Sequence, residues 1–371
     1  PRGRRIPFLR TAAVPFALLT ALVFWAPFPG AGLANATWLL LALLGFYLLM
    51  TAYCTPFNAL IPELGHTAGD RLNISTYISL TFIVGTAAAY VAPVFWGALE
   101  SAGVERVLAM RIVIGALCVL AALFMLVPAL VIDEKRYVHT VPSQTPAFSS
   151  LKKTFANRDF RVFVVSDISY FIALTLFQTG LPFYVKVLLG LPESQLSLLF
   201  VLMTACSLVF YPVVNIMARR WGKKPPILLA FALFAVMYAM TFFLGRLPFL
   251  STTLQGYLLV AVAAFPMAIF GILPQAVVAD ISLEDAGRTG EYREGMFFAA
   301  RTFAFKMGQT LAMLLFTSFL TLGSSSADDI GIRLSAVGAL AFCALGLSAF
   351  LFYDERKVMA ALKAAEKADS V

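Results

Sequence analysis

Apolar runs of about 20 residues recur from one end of this 371-residue chain to the other. That is the length of α-helix needed to cross about 30 Å of hydrocarbon. Backbone groups in lipid have no water to bond, so each run must satisfy its own N–H and C=O groups, which a helix does within the segment. Ten spans are predicted, at 11–29, 37–60, 76–99, 107–132, 162–190, 194–218, 225–245, 254–279, 295–322 and 330–353. They are nearly all-apolar rather than striped, the pattern of helices surrounded by lipid. With 60% hydrophobic and 13% charged residues, the chain holds about half the charge of a soluble domain. A soluble enzyme, a nucleic-acid binder and a disordered scaffold are excluded, and the fold class expected is an all-α polytopic membrane protein.

The net charge of +8 sits in short segments between the runs, where it orients helices. Segments 1–10, 63–75, 133–161, 219–224, 280–294 and 354–371 together hold 21 Lys and Arg, against 5 in the alternate connections. That bias places both ends of the chain in the cytoplasm, as an even number of spans requires. The basic opening PRGRRIPFLR is followed by no small-residue cleavage site and is not a signal peptide. Cys54, Cys118, Cys206 and Cys343 lie inside apolar runs without metal-ligand spacing, and His66 and His139 occupy separate loops. No disulfide framework, metal site or cofactor is expected. P-loop, HExxH and GxSxG sequences are also lacking, so neither ATP-driven transport nor an intramembrane hydrolase is expected.

The longest polar connection, 133–161, carries DEKR at 133–136 and then Pro142, Ser143, Pro146, Ser149 and Ser150. It reads as a cytoplasmic linker with a short amphipathic helix near Leu151–Phe160. The organisation expected is therefore an N-terminal helical bundle at 1–132, the linker at 133–161, a six-helix bundle at 162–353 and a cytoplasmic tail at 354–371. The halves repeat: RGRRIPFL (2–9) resembles WGKKPPIL (221–228) at an offset of 219, and PFNALIPE (56–63) corresponds loosely to LPQAVVAD (273–280). Parallel repeats of this kind mark transporters built from two halves.

The basic turns RGRR (2–5) and RRWGKK (219–224) resemble the cytoplasmic loop motif of the major facilitator superfamily, although positive-inside charge alone would also account for either turn. Gly3 and Gly222 would permit the tight turn. The stretch at 276–311 is similar to the glycoside–pentoside–hexuronide:cation symporter family, the melibiose-carrier relatives within that superfamily. It supplies Asp280, Glu284, Asp285, Thr289, Gly290, Arg293, Glu294, Gly295 and Lys306 in the family's order. PFNALIPELGHTAGDR (56–71) and TFANRDFRVF (154–163) extend the resemblance over nearly the whole chain. It implies the major facilitator fold, with twelve helices in two groups of six. Four spans precede the linker here, so the first two helices are expected to be missing from this sequence.

Lys306 lies near the middle of the ninth span, where a lysine costs roughly 2.5–3.5 kcal/mol on insertion scales. Thr302, Lys306 and Gln309 share one helical face, and the resemblance implies that this lysine lines a sugar and cation cavity; the alternative is an ammonium that snorkels to the interface, a long reach from this depth. Tyr47, Thr51, Cys54 and Asn58 form a second polar stripe, suited to sugar recognition or to helix packing by small polar residues. Melibiose-type carriers place an Asp at the position of Cys54 and a Trp at that of Asn58. The family's Arg early in the third span is also absent here, near Tyr77 and Ile78. Asp167, Tyr170 and Gln178 fall near one face of the fifth span. Asp167 is either a proton-coupling group or an interfacial acid paired with a loop arginine. Arg301 is either a partner of Asp280 or Glu284 in a cytoplasmic gate or a plain interfacial charge. Glu63, Asp70, Arg71, Asp280, Glu284, Asp285 and Arg293 are candidate gating ion pairs between the halves, or solvated loop charges.

The function expected is cation-coupled secondary transport of a sugar or glycoside by alternating access. The partners are the small-molecule substrate, H⁺ or Na⁺, and membrane lipid, and the carrier is expected to be a monomer in the cell membrane. A lysolipid or other amphiphile is the alternative cargo, and a non-transporting membrane sensor the alternative class.

Overall fold

The computed structural model describes residues 5–28, 30, 32–65, 67–134 and 147–368. Gly3, His66, His139 and the Pro142–Pro146 stretch of the linker lie outside them. The described residues form helices and no strands, and ten of the helices are long and apolar enough to cross a membrane.

In chain order the helices are α1 (Ile6–Val23), α2 (Leu33–Leu64), α3 (Ala68–Ser101), α4 (Arg106–Val131), α5 (Ala147–Ala156), α6 (Arg158–Phe183), α7 (Glu193–Trp221), α8 (Lys224–Phe243), α9 (Thr252–Thr289), α10 (Glu294–Leu320), α11 (Ile330–Leu351) and α12 (Glu355–Ala368). A π-helical turn, Tyr184–Leu188, continues α6. The short helix expected near Leu151–Phe160 is α5. It stops at Asn157, whose side chain accepts the Phe160 N–H and caps α6.

Several helices outrun their apolar cores: α2, α3 and α9 have 32, 34 and 38 residues, where about 20 suffice to span. The largest difference from the sequence reading is in α9. The acid-rich stretch expected as a loop at 280–294 stays helical to Thr289, and Gly290 ends it at φ +69°. No proline or glycine interrupts 275–286, and the carboxylates there find cations, so nothing forces the helix to stop.

The chain divides into two compact units. One holds residues 1–64 and 80–141, the other 65–79 and 142–371. In the first, α1 packs against α2 and α4 around Ile6, Leu9, Ala13, Tyr53, Leu60 and Ala129. The Tyr53 hydroxyl is anchored by donating to the Met125 carbonyl at 2.8 Å. In the second unit α6 lies against α10 and α11, α11 against α8, and α9 against α7 and α8. Of the apolar windows, 67% is buried in α6 and 61% in α9 but only 6% in α2. The first two are therefore interior helices, while α2 turns Leu40, Leu44 and Leu48 outward.

The grouping of residues 65–79 with the second unit departs from a division made at the linker alone. Side chains on the first turns of α3 account for it. Asn73 accepts from Arg219, Thr76 accepts from Asn215, and Ser79 donates to the Gly271 carbonyl. The segment read as a tail also has structure: α12 packs on α9, with Val358 and Leu362 buried.

Candidate functional site

Two clusters of charge and a lysine within an apolar span make up the candidate site. The first cluster is built at the basic end of the second unit. Asp280, on the extension of α9, accepts from Arg71 Nε at 2.7 Å and pairs with Lys223 Nζ. Arg71 and Asp280 are each about 1% exposed. Arg71 also donates to the Gly65 carbonyl. One turn further along, Asp285 accepts from Asn157 at 3.1 Å, from Arg288 at 2.9 Å and from Arg293. Among the described residues Glu284 has long contacts, 3.9 Å to Arg288 and 4.0 Å to Lys357. Of the two readings open for these acids, gating ion pairs or solvated loop charges, the second does not describe them. They are buried on a helix instead, where an ion pair is neither screened nor solvated.

Glu355 completes this end by accepting the backbone N–H groups of Lys223 and Lys224 at the start of α8. An anion suits that place because the first N–H groups of a helix lack internal partners. Gly222 precedes them at φ +87°, and a Cβ there would lie 2.7 Å from the Glu355 carboxylate. Glycine is required twice over, by the backbone and by the close approach. Burial, and after it the surrounding carboxylates of Asp280, Glu355, Asp159 and Glu284, push the Tyr353 phenol well above its ordinary value. It stays neutral and adds no charge to the cluster.

The first unit contains the same construction. Arg5 pairs with Glu63 at 2.6 Å, and Glu134 accepts the N–H groups of Arg5 and Ile6 at the start of α1. The separations match closely: 58 residues from Arg5 to Glu63 and 57 from Lys223 to Asp280, then 129 to Glu134 and 132 to Glu355. Glu134 and Glu355 were missed in the sequence. The signal was present, because IDEKR (132–136) and YDERK (353–357) continue the internal repeat. Glu63 is thus an ion-pair acid within its own unit. Asp70 forms a reciprocal cap with Thr67 at the start of α3.

The second cluster lies within the apolar spans. Asp167, about 4% exposed, accepts from Arg301 Nε at 2.9 Å and Nη2 at 3.3 Å. Arg301 therefore pairs with neither Asp280 nor Glu284, and the partner of Asp167 is a helix arginine rather than one from a loop. The reason is packing. Arg301 sits about two turns into α10, the helix laid against α6, while Asp280 is already held by Arg71 and Lys223. The guanidinium also stands 5.8 Å from the rings of Phe163 and Phe171. Tyr170, one turn from Asp167, is buried and stacks on Phe270 with ring centroids 4.0 Å apart. A crevice of about 10 Å³ touches Asp167, Tyr170, Ser166 and Pro274, room for about one water molecule. Gln178, expected on the same face, is exposed.

Lys306 stands further along α10, roughly 18 Å from its start at 1.5 Å per residue. It is partly buried, as are Thr302 and Gln309 on the same face. On α2, in the first unit, Tyr47 and Thr51 are exposed and Cys54 and Asn58 partly buried. Thr51 donates to the Tyr47 carbonyl, and Cys54 packs against the apolar cluster around Tyr53.

The sequence matches the MFS/sugar transport protein family over residues 1–353. The chain belongs to that family. It is an integral membrane protein with the major facilitator fold. Solved structures agree on the fold. A bacterial homologue of the iron transporter ferroportin, outward-facing, superposes with a TM-score of 0.67 at 16% identity, covering 95% of this chain and 84% of the other. The proton:xylose symporter XylE bound to 6-bromo-6-deoxy-D-glucose gives 0.65 at 16% identity, covering 97% and 83%. The transporter FucP in its outward conformation gives 0.64 at 14% identity, covering 95% and 86%. No curated protein matches the sequence.

Proposed function

We propose that this chain is a cation-coupled secondary transporter of a sugar or glycoside, similar to the melibiose carriers, working by alternating access. The observation that carries the reading is the Asp167–Arg301 pair, enclosed in the spans of a member of a transport family. Buried ions repay their desolvation poorly as pure structure, and intramembrane charges commonly serve transport. Protonating Asp167 would cancel the attraction and free Arg301, so a proton taken up there would alter the packing of α6 on α10. Na⁺ is the other candidate cation. Lys306, Thr302 and Gln309 are assigned to substrate. Asp280 with Arg71 and Lys223, and Asp285 with Arg293, are assigned to holding one conformation. Two of the solved relatives, a xylose and a fucose symporter, are proton-coupled by name, which supports a sugar and a proton. The orientation proposed puts the basic loops and both ends of this chain in the cytoplasm of a cell-membrane monomer.

A second reading keeps the fold and changes the cargo to a lysolipid or other amphiphile. Cys54 favours it, because this residue packs on an apolar cluster where sugar carriers place an acid. Both are tested by one experiment on purified protein in liposomes, under imposed H⁺ or Na⁺ gradients. Labelled sugars should accumulate under one gradient and leak out when it is dissipated. Gradient-independent behaviour with every sugar would reject the first reading, and gradient-driven movement of a labelled lysolipid would establish the second.

A further inference from the structure

A cavity of about 970 Å³ opens at the basic end of the second unit, between the α7–α8 turn and α12. Arg219, Lys224, Arg356 and Lys363 line it. Lys223 lies in the same wall, but its charge is matched by Asp280. The other cations have neutral partners or face the opening. Arg219 donates to the amide oxygens of Asn73 and Asn215, and Lys224 to the carbonyls of Leu351 and Tyr353. Hydrogen bonds to neutral oxygens leave the positive charge uncancelled. Arg356 and Lys363, both exposed, stand two turns apart on one face of α12, with Met359 between them.

Two acids share the wall, and their partners there are neutral N–H groups, which leave the negative charge in place. Glu355 takes the N–H groups of Lys223 and Lys224, and Asp354 takes that of Lys357. Four cations, Arg219, Lys224, Arg356 and Lys363, stand against these two acids once Lys223 is paired with Asp280, so the cavity keeps a positive excess. Its remaining lining is apolar and aromatic, with Trp221 and Phe352 more than half exposed beside the cations. Tryptophan at the end of a membrane span belongs at headgroup depth. Clustered cations at that depth attract anionic headgroups.

We propose that this cavity binds a phosphate group carried by an anionic phospholipid, with Arg356 and Lys363 as its accessible cations and Trp221 and Met359 beside the glycerol and upper acyl chain. The site is separate from the transport pathway assigned above and holds whether or not the cargo is a sugar.

The test uses the full chain purified in detergent, with thermal unfolding followed as phosphatidylglycerol, phosphatidylcholine or inorganic phosphate is titrated in. Phosphatidylglycerol should raise the midpoint saturably, and phosphatidylcholine should not. In the double variant Arg356→Gln/Lys363→Gln the apparent affinity should fall roughly 30-fold, the fold-change for two cations at about 1 kcal/mol each. Both residues are exposed, so the variant should fold. Removing two exposed charges outside the cavity, Lys152→Gln/Arg158→Gln, should leave the affinity unchanged. A silent inorganic phosphate arm assigns the group to lipid. An equal response to inorganic phosphate, lost in the same variant, keeps the phosphate site but overturns the lipid. Equal affinity in wild type and Arg356→Gln/Lys363→Gln, an equal loss in the outside control, or an equal response to phosphatidylcholine overturns the site.

Discussion

Arg301 grips Asp167 through two guanidinium nitrogens, at 2.9 and 3.3 Å, across the packed faces of α6 and α10. The carboxylate is almost wholly enclosed, so each partner depends on the other. Removing one side of such a pair leaves an uncompensated charge and costs about 3–5 kcal/mol, whereas removing both can be nearly neutral. Arg301→Gln should therefore lower the unfolding temperature sharply, and Asp167→Asn/Arg301→Gln should recover most of it. A double-mutant cycle on purified protein measures the coupling. Uphill transport should fail in all three variants if the pair serves coupling. Full transport by the double variant would make the pair structural.

Asp280 and Glu284 are one turn apart on α9, yet their expected contributions differ. Asp280 answers two buried cations, Arg71 and Lys223. Asp280→Asn should cost about 3–5 kcal/mol by stranding them. Glu284 faces Arg288 and Lys357 at 3.9–4.0 Å, each more than half exposed. Among the described residues its carboxylate is buried without a close cation to repay its desolvation, so Glu284→Gln should cost no more than about 1 kcal/mol. Thermal unfolding in detergent distinguishes the two, and equal losses would contradict the ranking.

Lys306→Ala should abolish accumulation against a gradient while the protein remains inserted and folded. Alanine removes a charge that costs roughly 2.5–3.5 kcal/mol at the centre of a span on insertion scales, so insertion should hold or improve. Lys306→Arg should fail almost as completely, since a planar fork is wider than an ammonium and keeps its proton. Accumulation at the wild-type level by the alanine variant, at equal expression, would remove Lys306 from the substrate site.

The proposed orientation predicts which introduced cysteines a membrane-impermeant thiol reagent reaches in intact cells. With the four native cysteines replaced, Ser101→Cys and Ser325→Cys should be labelled and Lys152→Cys should not. All three positions are exposed. Labelling at 152 with protection at 101 would invert the topology.

The ten spans and the repeat could be read from the residues because both are written along one dimension. A run of apolar side chains matches hydrocarbon thickness wherever its neighbours lie, and WGKKPPIL (221–228) announces the start of α8 as RGRRIPFL (2–9) does that of α1. The polar ends were harder to read. The acids after residue 279 look like a loop to any hydropathy count, yet α9 carries Asp280 and Asp285 inward because arginines, a lysine and an asparagine meet them there.

Hydrocarbon thickness and the placement of Lys and Arg act segment by segment, so the all-helical class and the number of spans follow from the order of residues alone. Ion pairing does not, because attraction depends on distance in space and on burial. Arg71 lies 209 residues from Asp280, and Arg301 lies 134 from Asp167. Nothing along the chain ranks Asp167 above Asp280 as the partner of Arg301. Packing α10 against α6 brings one acid within 3 Å, and folding the start of α3 in with the second unit gives the other acid to Arg71.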